Sequence, residues 1–333
     1  MTKQSDYLFS INNMRAIASM AVVLFHFIGT EQFLTNWTIL KYISVYGQYG
    51  VQMFFVISGF VIPFSLYKSK YKIHYYGKFV LKRIIRLDPP YLANILFIIC
   101  LSYVLSKVSS AQFTITWKQL LLHLGYLNAF FHEKWLNVVF WTLSVEFQYY
   151  VLLGLIYPLL IGNQWIRSIT VISLLALSIL FHDIPRDFFF AHIPVFLMGI
   201  LTFQWYTRII PKWEYIVWTF VCILFIYTSS IEILFVSIIS VLLLFYFTIE
   251  NKWLTFLGDI SYSLYLMHVM TGSVVISIVK KRTDNIYIEF FALVFAVSIS
   301  VTMSYLLYRF VEQPSQKLSS KIRFTNKSNS VTV

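Results

Sequence analysis

Ten stretches of this sequence are each apolar over a length that can cross a lipid bilayer as a helix. A transmembrane helix needs roughly 20 residues to span about 30 Å of hydrocarbon. The stretches are continuous apolar runs without the alternation of a membrane β-strand, which favours helices over a barrel. The sequence therefore predicts an all-α polytopic membrane protein, a bundle of about ten transmembrane helices. The stretches cover residues 11–31, 45–67, 88–107, 138–161, 168–182, 188–206, 213–230, 231–249, 260–279 and 288–310.

The composition supports a membrane location. Hydrophobic residues make up 59% of the 333 residues and charged residues only 12%, whereas a soluble protein has about 25% charged residues. Because so few charges cannot cover a water-exposed surface, much of the apolar area must face lipid. The first stretch lacks a convincing cleavage site, so we expect it to be retained as the first helix. Cys100 and Cys222 lie within apolar runs, and we expect neither a disulfide framework nor a cysteine metal site.

The lysines and arginines predict the orientation, because cytoplasmic loops of membrane proteins carry an excess of them. If the N-terminus is cytoplasmic, 18 of the 26 basic residues lie on the inner side, and the main exception is the cluster at 280–282. We therefore predict that both termini are cytoplasmic. The net charge of +12 follows mainly from this topology and does not indicate nucleic-acid binding. We expect residues 1–315 to form one transmembrane domain and residues 316–333 a short, flexible cytoplasmic tail.

Two ionisable residues, Arg15 and His26, stand in the first stretch, which reads MRAIASMAVVLFHF over residues 14–27. Eleven steps of about 100° bring both side chains to one face of a helix, about 16 Å apart along its axis. Arg15 then lies at the cytoplasmic interface and His26 near the middle of the membrane. A titratable group at that depth is costly and indicates a function by default. The alternative is a structural histidine that is hydrogen-bonded to a neighbouring helix.

The second helix and the segment after it supply further candidates. Ser58 and Gly59 are small residues among aromatic ones, where either a neighbouring helix packs closely or a ligand chain passes the exposed backbone. Arg83 and Arg86 are three residues apart at the cytoplasmic surface, which suits bidentate contacts with phosphate groups. The same arginines also fit ordinary positive flanking of a helix, and Asp88 is a candidate partner for one of them.

The later stretches hold more ionisable groups. Glu146 lies about eight residues, roughly 12 Å, from the outer end of the fourth helix, at a depth similar to that of His26. A Glu146–His26 pair would orient the imidazole and raise its basicity, as a general base requires. For His268 in the ninth helix we favour a structural role. We interpret Arg309 and Glu312, at the end of the tenth helix, as an interfacial ion pair.

Taken in order, these segments resemble the acyltransferase-3 family of integral membrane O-acyltransferases. The resemblance covers nearly the whole chain. It rests on Arg15 with ten residues before His26, GVQMFFVISGF at 50–60, RIIR at 83–86, WTLSVEFQYY at 141–150, GDISYSLYLMH at 258–268 and YRFVEQP at 308–314. Carried over by motif, the family's functional positions fall on Arg15, His26, Ser58, Gly59, Phe60, Arg83, Arg86 and Glu146.

The resemblance implies an enzyme that moves an acyl group, usually acetyl, from cytoplasmic acyl-CoA to a hydroxyl group. The implied acceptor is a surface polysaccharide, a lipid-linked glycan or a related glycosylated compound. It also implies a multi-pass protein of the bacterial cytoplasmic (inner) membrane, whose partners are the lipid bilayer, acyl-CoA and the acceptor. We expect no permanently bound cofactor and no metal.

Residues and resemblance together suggest a mechanism. The phosphates of CoA would rest on Arg83, Arg86 and nearby lysines, with Arg15 as a further contact. The pantetheine arm would pass between the first and second helices, past Ser58 and Gly59. His26 would act as general base on the acceptor hydroxyl. A covalent acyl-histidine or acyl-serine intermediate is left open. The alternative class is a proton-coupled transporter or exporter that uses the same buried groups, and a third is a membrane scaffold or sensor without catalysis.

Overall fold

The structure, a computed structural model, describes residues 4–30, 33–34, 38–108, 114–283 and 285–324. These residues form helices joined by short connections, and no β-strand occurs among them. The helices of the first half are α1 (Gln4–Leu24), α2 (Thr38–Val45), α3 (Gly50–Lys68), α4 (Tyr76–Val108), α5 (Trp117–Leu124), α6 (Phe140–Leu160) and α7 (Gln164–Leu180). Those of the second half are α8 (Ile193–Tyr206), α9 (Lys212–Ser229), α10 (Ile231–Tyr246), α11 (Lys252–Asp259), α12 (Ser261–His268), α13 (Val274–Lys280), α14 (Ile286–Leu307) and α15 (Gln313–Ser320).

Each of the ten predicted stretches falls on helix. Seven helical segments of the described ranges are long and apolar enough to cross a membrane. They are Phe9–Thr30, Ile39–Lys68, Ile73–Lys107, Phe140–Leu160, Phe189–Tyr206, Ser261–Lys280 and Ile286–Ser320. The other three stretches fall on α7, α9 and α10, which have 17, 18 and 16 residues. The all-helical architecture is therefore confirmed, whereas ten crossings and the orientation of the termini stay predictions.

Three helices continue into π-helical turns, in which the backbone is locally wider than in an α-helix. These turns are Phe25–Thr30 after α1, Val269–Ser273 after α12 and Tyr308–Glu312 after α14. Segments of this kind are rare, and they occur frequently at functional sites. Each of the three contains, or directly follows, an ionisable residue that the sequence analysis singled out.

The helix α4 begins well before the apolar stretch predicted at 88–107. It runs for 33 residues and includes Pro89 and Pro90 without ending there. Proline in a helix interior removes a backbone hydrogen bond and commonly kinks or breaks the helix, but α4 continues through both prolines. Because the helix continues, Arg83 and Arg86 lie on a helix that enters the bundle.

The helices α3 and α8 cross at a point where both are glycine. A methyl group on Gly59 would overlap the carbonyl oxygen of Phe196, and one on Gly199 would overlap that of Val56. The two backbones therefore touch, which is the packing role of small residues in membrane helices. This crossing fixes the middle of α3, where the neighbouring residue Ser58 faces the candidate site.

The predicted tail is folded over its first part. Residues 313–320 form α15, and the buried ring of Phe324 lies 5.5 Å from that of Tyr71 and 5.9 Å from that of Tyr75. Residues 316–324 therefore pack against the bundle, in contrast to the expected flexible tail. The apolar packing of Phe324 explains the difference. Residues 325–333 of that tail, and the end of the first predicted stretch at residue 31, lie outside the described residues.

Candidate active site

A cavity of about 120 Å³ lies between α1, α3, α4, α6, α12 and the π-helical turn Tyr308–Glu312. Five charged side chains line it, three arginines and two carboxylates, and they come from four segments that are far apart in the sequence. These residues are Arg15, Arg83, Arg86, Glu146 and Glu312. The rest of the lining is mainly apolar or aromatic. The fold thus gathers four of the sequence-predicted residues, and Ser58 with them, around one space.

Arg83 is a buried cation with an unused hydrogen-bond donor. Its side chain is 6% exposed, and its guanidinium carbon lies 5.3 Å from the ring centre of Phe79 and 5.4 Å from that of Tyr150. Its Nε is buried and has no hydrogen-bond partner among the described residues. Leaving such a donor unsatisfied is costly. The arrangement suits a ligand that brings an anionic or carbonyl oxygen into the cavity.

Glu146 receives two hydrogen bonds on one carboxylate oxygen. The Ser58 hydroxyl donates to Oε1 over 2.7 Å, and the Tyr150 hydroxyl donates to the same atom. Both donors line the cavity together with Glu146. Such donors stabilise a carboxylate inside a membrane protein. The expected pairing of Glu146 with His26 stays a prediction, since the hydrogen bonds described for this carboxylate run to Ser58 and Tyr150.

Arg15 and His26 face the same neighbouring helix, α12. Nε of Arg15 donates to the hydroxyl of Ser261 over 3.1 Å. Nδ1 of His26 lies 3.2 Å from Nε2 of His268. Because Ser261 and His268 are seven residues, or about two turns, apart on α12, both contacts lie on one side of that helix. The shared face predicted for Arg15 and His26 is therefore confirmed.

The histidine pair is held by a close approach of two π-helical turns. His26 belongs to the turn Phe25–Thr30, and His268 directly precedes the turn Val269–Ser273. A methyl group on Gly272 would overlap the ring of Phe27, which is fully buried. Glycine at this position therefore lets the two segments meet, and the meeting point brings the imidazoles together.

The cavity reaches as far as Tyr265, next to the histidine pair. The hydroxyl of Tyr265 shares a 2.7 Å hydrogen bond with that of Thr142, and both residues line the cavity. The ring centre of Tyr265 lies 6.0 Å from that of His268. His26 is not part of the cavity lining. Tyr265 therefore lies between the cavity arginines and His26, the predicted base.

Two members of the predicted Ser58–Gly59–Phe60 segment lie away from the cavity. Gly59 packs against α8 at the helix crossing, and Phe60 is fully buried with its ring 5.7 Å from that of Tyr206. These positions fit helix packing and not contact with a ligand. Ser58 is the residue of this segment that faces the cavity.

The interpretation of Arg309 and Glu312 as an ion pair is wrong. Arg309 donates from Nη1 to Oε1 of Gln313 over 2.6 Å. Glu312 instead accepts hydrogen bonds from Ser263 over 2.6 Å and from Gln316 over 2.9 Å, and it lines the cavity. Both residues belong to the π-helical turn Tyr308–Glu312, whose wider backbone changes the helical phase, so the two side chains point in different directions.

The suggested pairing of Asp88 with a nearby arginine is also wrong. Oδ1 of Asp88 accepts a 2.9 Å hydrogen bond from the hydroxyl of Tyr126. Because α4 is continuous here, Asp88 lies on a helix that carries it toward the segment after α5.

Sequence reasoning missed several residues of the site. The cavity is also lined by Thr142, Tyr150, Tyr262, Tyr265 and Glu312. Tyr150 could have been identified from the sequence, because it is four residues after Glu146 and residues at this spacing are neighbours on a helix. Tyr150, Tyr262 and Tyr265 lie within the motifs at 141–150 and 258–268 that carry the family resemblance, but those motifs did not assign them to the cavity.

Comparison with known proteins agrees with the sequence motifs. The acyltransferase-domain model of the acyltransferase-3 family matches residues 8–309. The chain belongs to this family. The match takes in both histidines of the pair and all the cavity arginines. Together with the long apolar helices, it identifies a multi-pass membrane protein.

Curated relatives are O-acetyltransferases by name. O-acetyltransferase OatA of Staphylococcus aureus strain NCTC 8325 / PS 47 is 24% identical over an alignment of 372 residues, which covers 95% of this chain and 58% of that protein. The OatA proteins of strains COL and N315 match with the same identity and coverage. The chain thus spans less than two thirds of the length of these relatives. No solved structure matches the chain significantly.

Proposed function

We propose that this protein is a membrane-embedded O-acyltransferase that moves an acyl group, by default acetyl, from cytoplasmic acyl-CoA to a hydroxyl of a cell-surface glycan. Family membership and the names of the OatA relatives support an O-acyl transfer reaction. The observation that carries the proposal is the cavity in which Arg15, Arg83 and Arg86 converge beside the His26–His268 pair.

The cavity arginines are suited to binding the acyl donor, acyl-CoA. Acyl-CoA is a polyanion, and guanidinium groups bind phosphate by paired hydrogen bonds. The cavity of about 120 Å³ is too small for a whole CoA molecule. We therefore place the nucleotide outside the bundle, near the cytoplasmic ends of the helices, and the pantetheine arm inside. The unused Nε donor of Arg83 would receive an oxygen of this arm or of its phosphate.

The transfer itself takes place beyond Tyr265. The thioester passes this side chain when the hydrogen bond between Tyr265 and Thr142 opens. His26 removes the proton of the acceptor hydroxyl, and the hydroxyl oxygen attacks the thioester carbonyl carbon. The carbon–sulfur bond then breaks, and the departing CoA sulfur takes the proton back from His26. The products are the acyl ester and free CoA.

In this membrane arrangement the acyl donor and the acceptor approach the site from opposite sides of the bilayer. With both termini in the cytoplasm, Arg15, Arg83 and Glu312 lie toward the inner surface, and His26 lies near the middle of the membrane. The acceptor, a surface polysaccharide, a lipid-linked glycan or another glycosylated hydroxyl compound, then approaches from outside. The site works without a permanently bound cofactor, since the acyl group arrives already activated as a thioester.

The test is an acyl-transfer assay with the purified protein in lipid nanodiscs. Acetyl-labelled acetyl-CoA and a glycan extract are supplied, and both released CoA and labelled glycan are measured. We expect turnover by the wild type and loss of at least about a hundredfold in His26→Ala, since a general base contributes 10² to 10⁴ in rate. The matched control is His182→Ala, because His182 is exposed and pairs with Asp183 in a loop.

Two results would contradict the proposal. A well-folded His26→Ala protein with normal turnover would exclude His26 as the base. A wild-type protein that never consumes acetyl-CoA, but moves a solute in response to a proton gradient, would instead favour the transporter alternative.

A further inference from the structure

The His26–His268 pair is more than a packing contact, because its hydrogen bonds have a direction. The two ring centres are 5.0 Å apart with the ring planes tilted by 57°, and Nδ1 of His26 lies 3.2 Å from Nε2 of His268. One of these two nitrogens must carry the proton that lies between them. The remaining partners of each ring decide which one it is.

His268 accepts at Nε2. Its Nδ1 lies 2.9 Å from the carbonyl oxygen of Leu264. A carbonyl oxygen can only accept, so Nδ1 of His268 carries a proton. The side chain is 0% exposed, and burial of an uncompensated charge is costly, so the ring is neutral. A neutral imidazole has one N–H, which leaves Nε2 of His268 as an acceptor.

His26 donates at Nδ1. The acceptor Nε2 of His268 requires a proton on the facing nitrogen, which is Nδ1 of His26. The same nitrogen lies 3.0 Å from the carbonyl oxygen of Val22, which is also an acceptor. Both contacts therefore require a proton on Nδ1 of His26. In the neutral ring this tautomer places the lone pair on Nε2.

We infer that His268 is a positioning residue for acyl transfer: by accepting the Nδ1 proton of His26, it holds that ring in the tautomer whose Nε2 can take up the acceptor's proton. The inference rests on the proposed function of His26 as general base. A base that is itself oriented by a third group is a recurring arrangement in nucleophilic and acyl-transfer sites. The bond to His268 also becomes charge-assisted when His26 is protonated, which stabilises the imidazolium.

The surrounding structure holds this relationship in place. The ring of Phe27 lies 6.3 Å from that of His268 and packs over Gly272. Thr271, in the π-helical turn after His268, shares a 2.9 Å hydrogen bond with Ser300 on α14. The acceptor nitrogen of His268 is therefore fixed on a helix that is tied to its neighbours.

Two substitutions of His268 that are similar in size distinguish a positioning role of this residue from a packing role. His268→Gln retains an oxygen that can accept the proton from His26, whereas His268→Met fills the space without a strong acceptor. In the assay described above, we expect His268→Met to lower kcat about tenfold to a hundredfold, within the range of general base catalysis. The KM for acetyl-CoA should stay within about twofold, because the arginines are untouched. His268→Gln should recover most of kcat.

A second measurement does not depend on activity. Nitrogen-15 NMR of histidine-labelled protein distinguishes a protonated from an unprotonated ring nitrogen, and the His26 signals among the seven histidines are assigned by their loss in His26→Gln. We expect His26 to be protonated at Nδ1 in the wild type and in His268→Gln. In His268→Met the Val22 carbonyl is the remaining acceptor described for this nitrogen, so we expect a smaller fraction of His26 to be protonated at Nδ1 than in the wild type.

The outcomes distinguish this inference from the proposed function. A wild-type His26 protonated at Nε2, or equal turnover and equal tautomers in the Met and Gln variants, would overturn the positioning role. If His26 has the expected tautomer but the wild-type protein transfers no acyl group, the proposed function fails while the hydrogen-bond relationship stands.

Discussion

The hydroxyl of Ser58 on α3 donates a 2.7 Å hydrogen bond to Oε1 of Glu146 on α6, and both side chains face the cavity that holds three arginines. This contact joins two sequence motifs that are 88 positions apart. It fixes a negative charge next to the positive charges of Arg15, Arg83 and Arg86. The charge balance of the cavity therefore depends on Glu146 as well as on the arginines.

The first prediction concerns this charge balance. Glu146→Gln keeps an oxygen that can accept from Ser58 but removes the negative charge. We expect CoA to bind about threefold to tenfold more tightly, equivalent to about 1 kcal/mol, because less negative charge opposes its phosphates. Isothermal titration with CoA at low salt measures the change.

The matched control for that experiment is Glu133→Gln. Glu133 lies between α5 and α6 and forms an ion pair with Lys118 on α5, and neither residue lines the cavity. Its substitution should leave CoA affinity unchanged. Unchanged or weaker binding in Glu146→Gln would show that this carboxylate does not act on the donor through charge.

The second prediction concerns the arginines. CoA affinity of the wild type should fall as salt rises, because ions screen the attraction between guanidinium and phosphate groups. In the double variant Arg83→Gln/Arg86→Gln we expect weaker binding and the loss of most of this salt dependence. Arg309→Gln is the control, because Arg309 is exposed and bonds to Gln313. A double variant with the wild-type salt slope would place the phosphates elsewhere.

Much of the fold was predictable from hydropathy alone. A membrane helix must satisfy its backbone hydrogen bonds internally and present apolar side chains to lipid, so the ten apolar stretches correspond to helices. The start of α4 was not predictable in this way. The predicted stretch began at residue 88, because the basic residues before it interrupt the apolar run, whereas the helix begins at Tyr76.

The residues that form the site were largely predictable from the sequence, but the contacts between them were not. Sequence motifs selected Arg15, Arg83 and Glu146, and the fold gathers them around one cavity. Matched depth suggested that Glu146 would pair with His26, but depth says nothing about the angular position of a side chain on its helix. His26 and His268 meet through π-helical turns, and no residue pattern in the chain indicates a π-helical turn.

The third prediction concerns a buried ion pair away from the cavity. Arg167 on α7 donates from Nε and Nη2 to the two carboxylate oxygens of Glu214 on α9, over 3.1 Å and 2.9 Å. Removing one partner leaves the other charge buried without compensation. We expect Glu214→Gln to lower the free energy of unfolding by about 3–5 kcal/mol, and the double variant Arg167→Met/Glu214→Leu to lose much less.

Stability of these variants is measured by thermal unfolding in detergent. The exposed pair of Lys118 and Glu133, whose side chains are 64% and 28% exposed, serves for comparison. Glu133→Gln should cost less than about 1 kcal/mol. If single and double variants of the Arg167–Glu214 pair were equally destabilised, the loss would come from packing and not from an uncompensated charge.

The last prediction concerns His123 on α5, outside the candidate membrane spans. Its Nδ1 donates to the carbonyl oxygen of Gln119 over 2.7 Å, and its Nε2 accepts from the backbone N–H of Leu136 over 3.2 Å. Burial lowers the pKa of His123 below its usual value of 6.5. Protonation would place a second hydrogen between Nε2 and the N–H of Leu136, so the folded segment favours the neutral ring.

The sign of the pH effect follows from this shift. When the segment unfolds locally, the pKa of His123 returns to about 6.5, so the unfolded segment binds more protons below that pH. Local stability is therefore complete above about pH 6.5 and is lost as the pH falls toward the lower pKa of the folded state. We expect the hydrogen-exchange protection factor of the Leu136 amide to fall between pH 7.5 and pH 5. His123→Gln retains an acceptor that does not titrate and should remove most of this decrease; a decrease of equal size in that variant would assign the effect to another group.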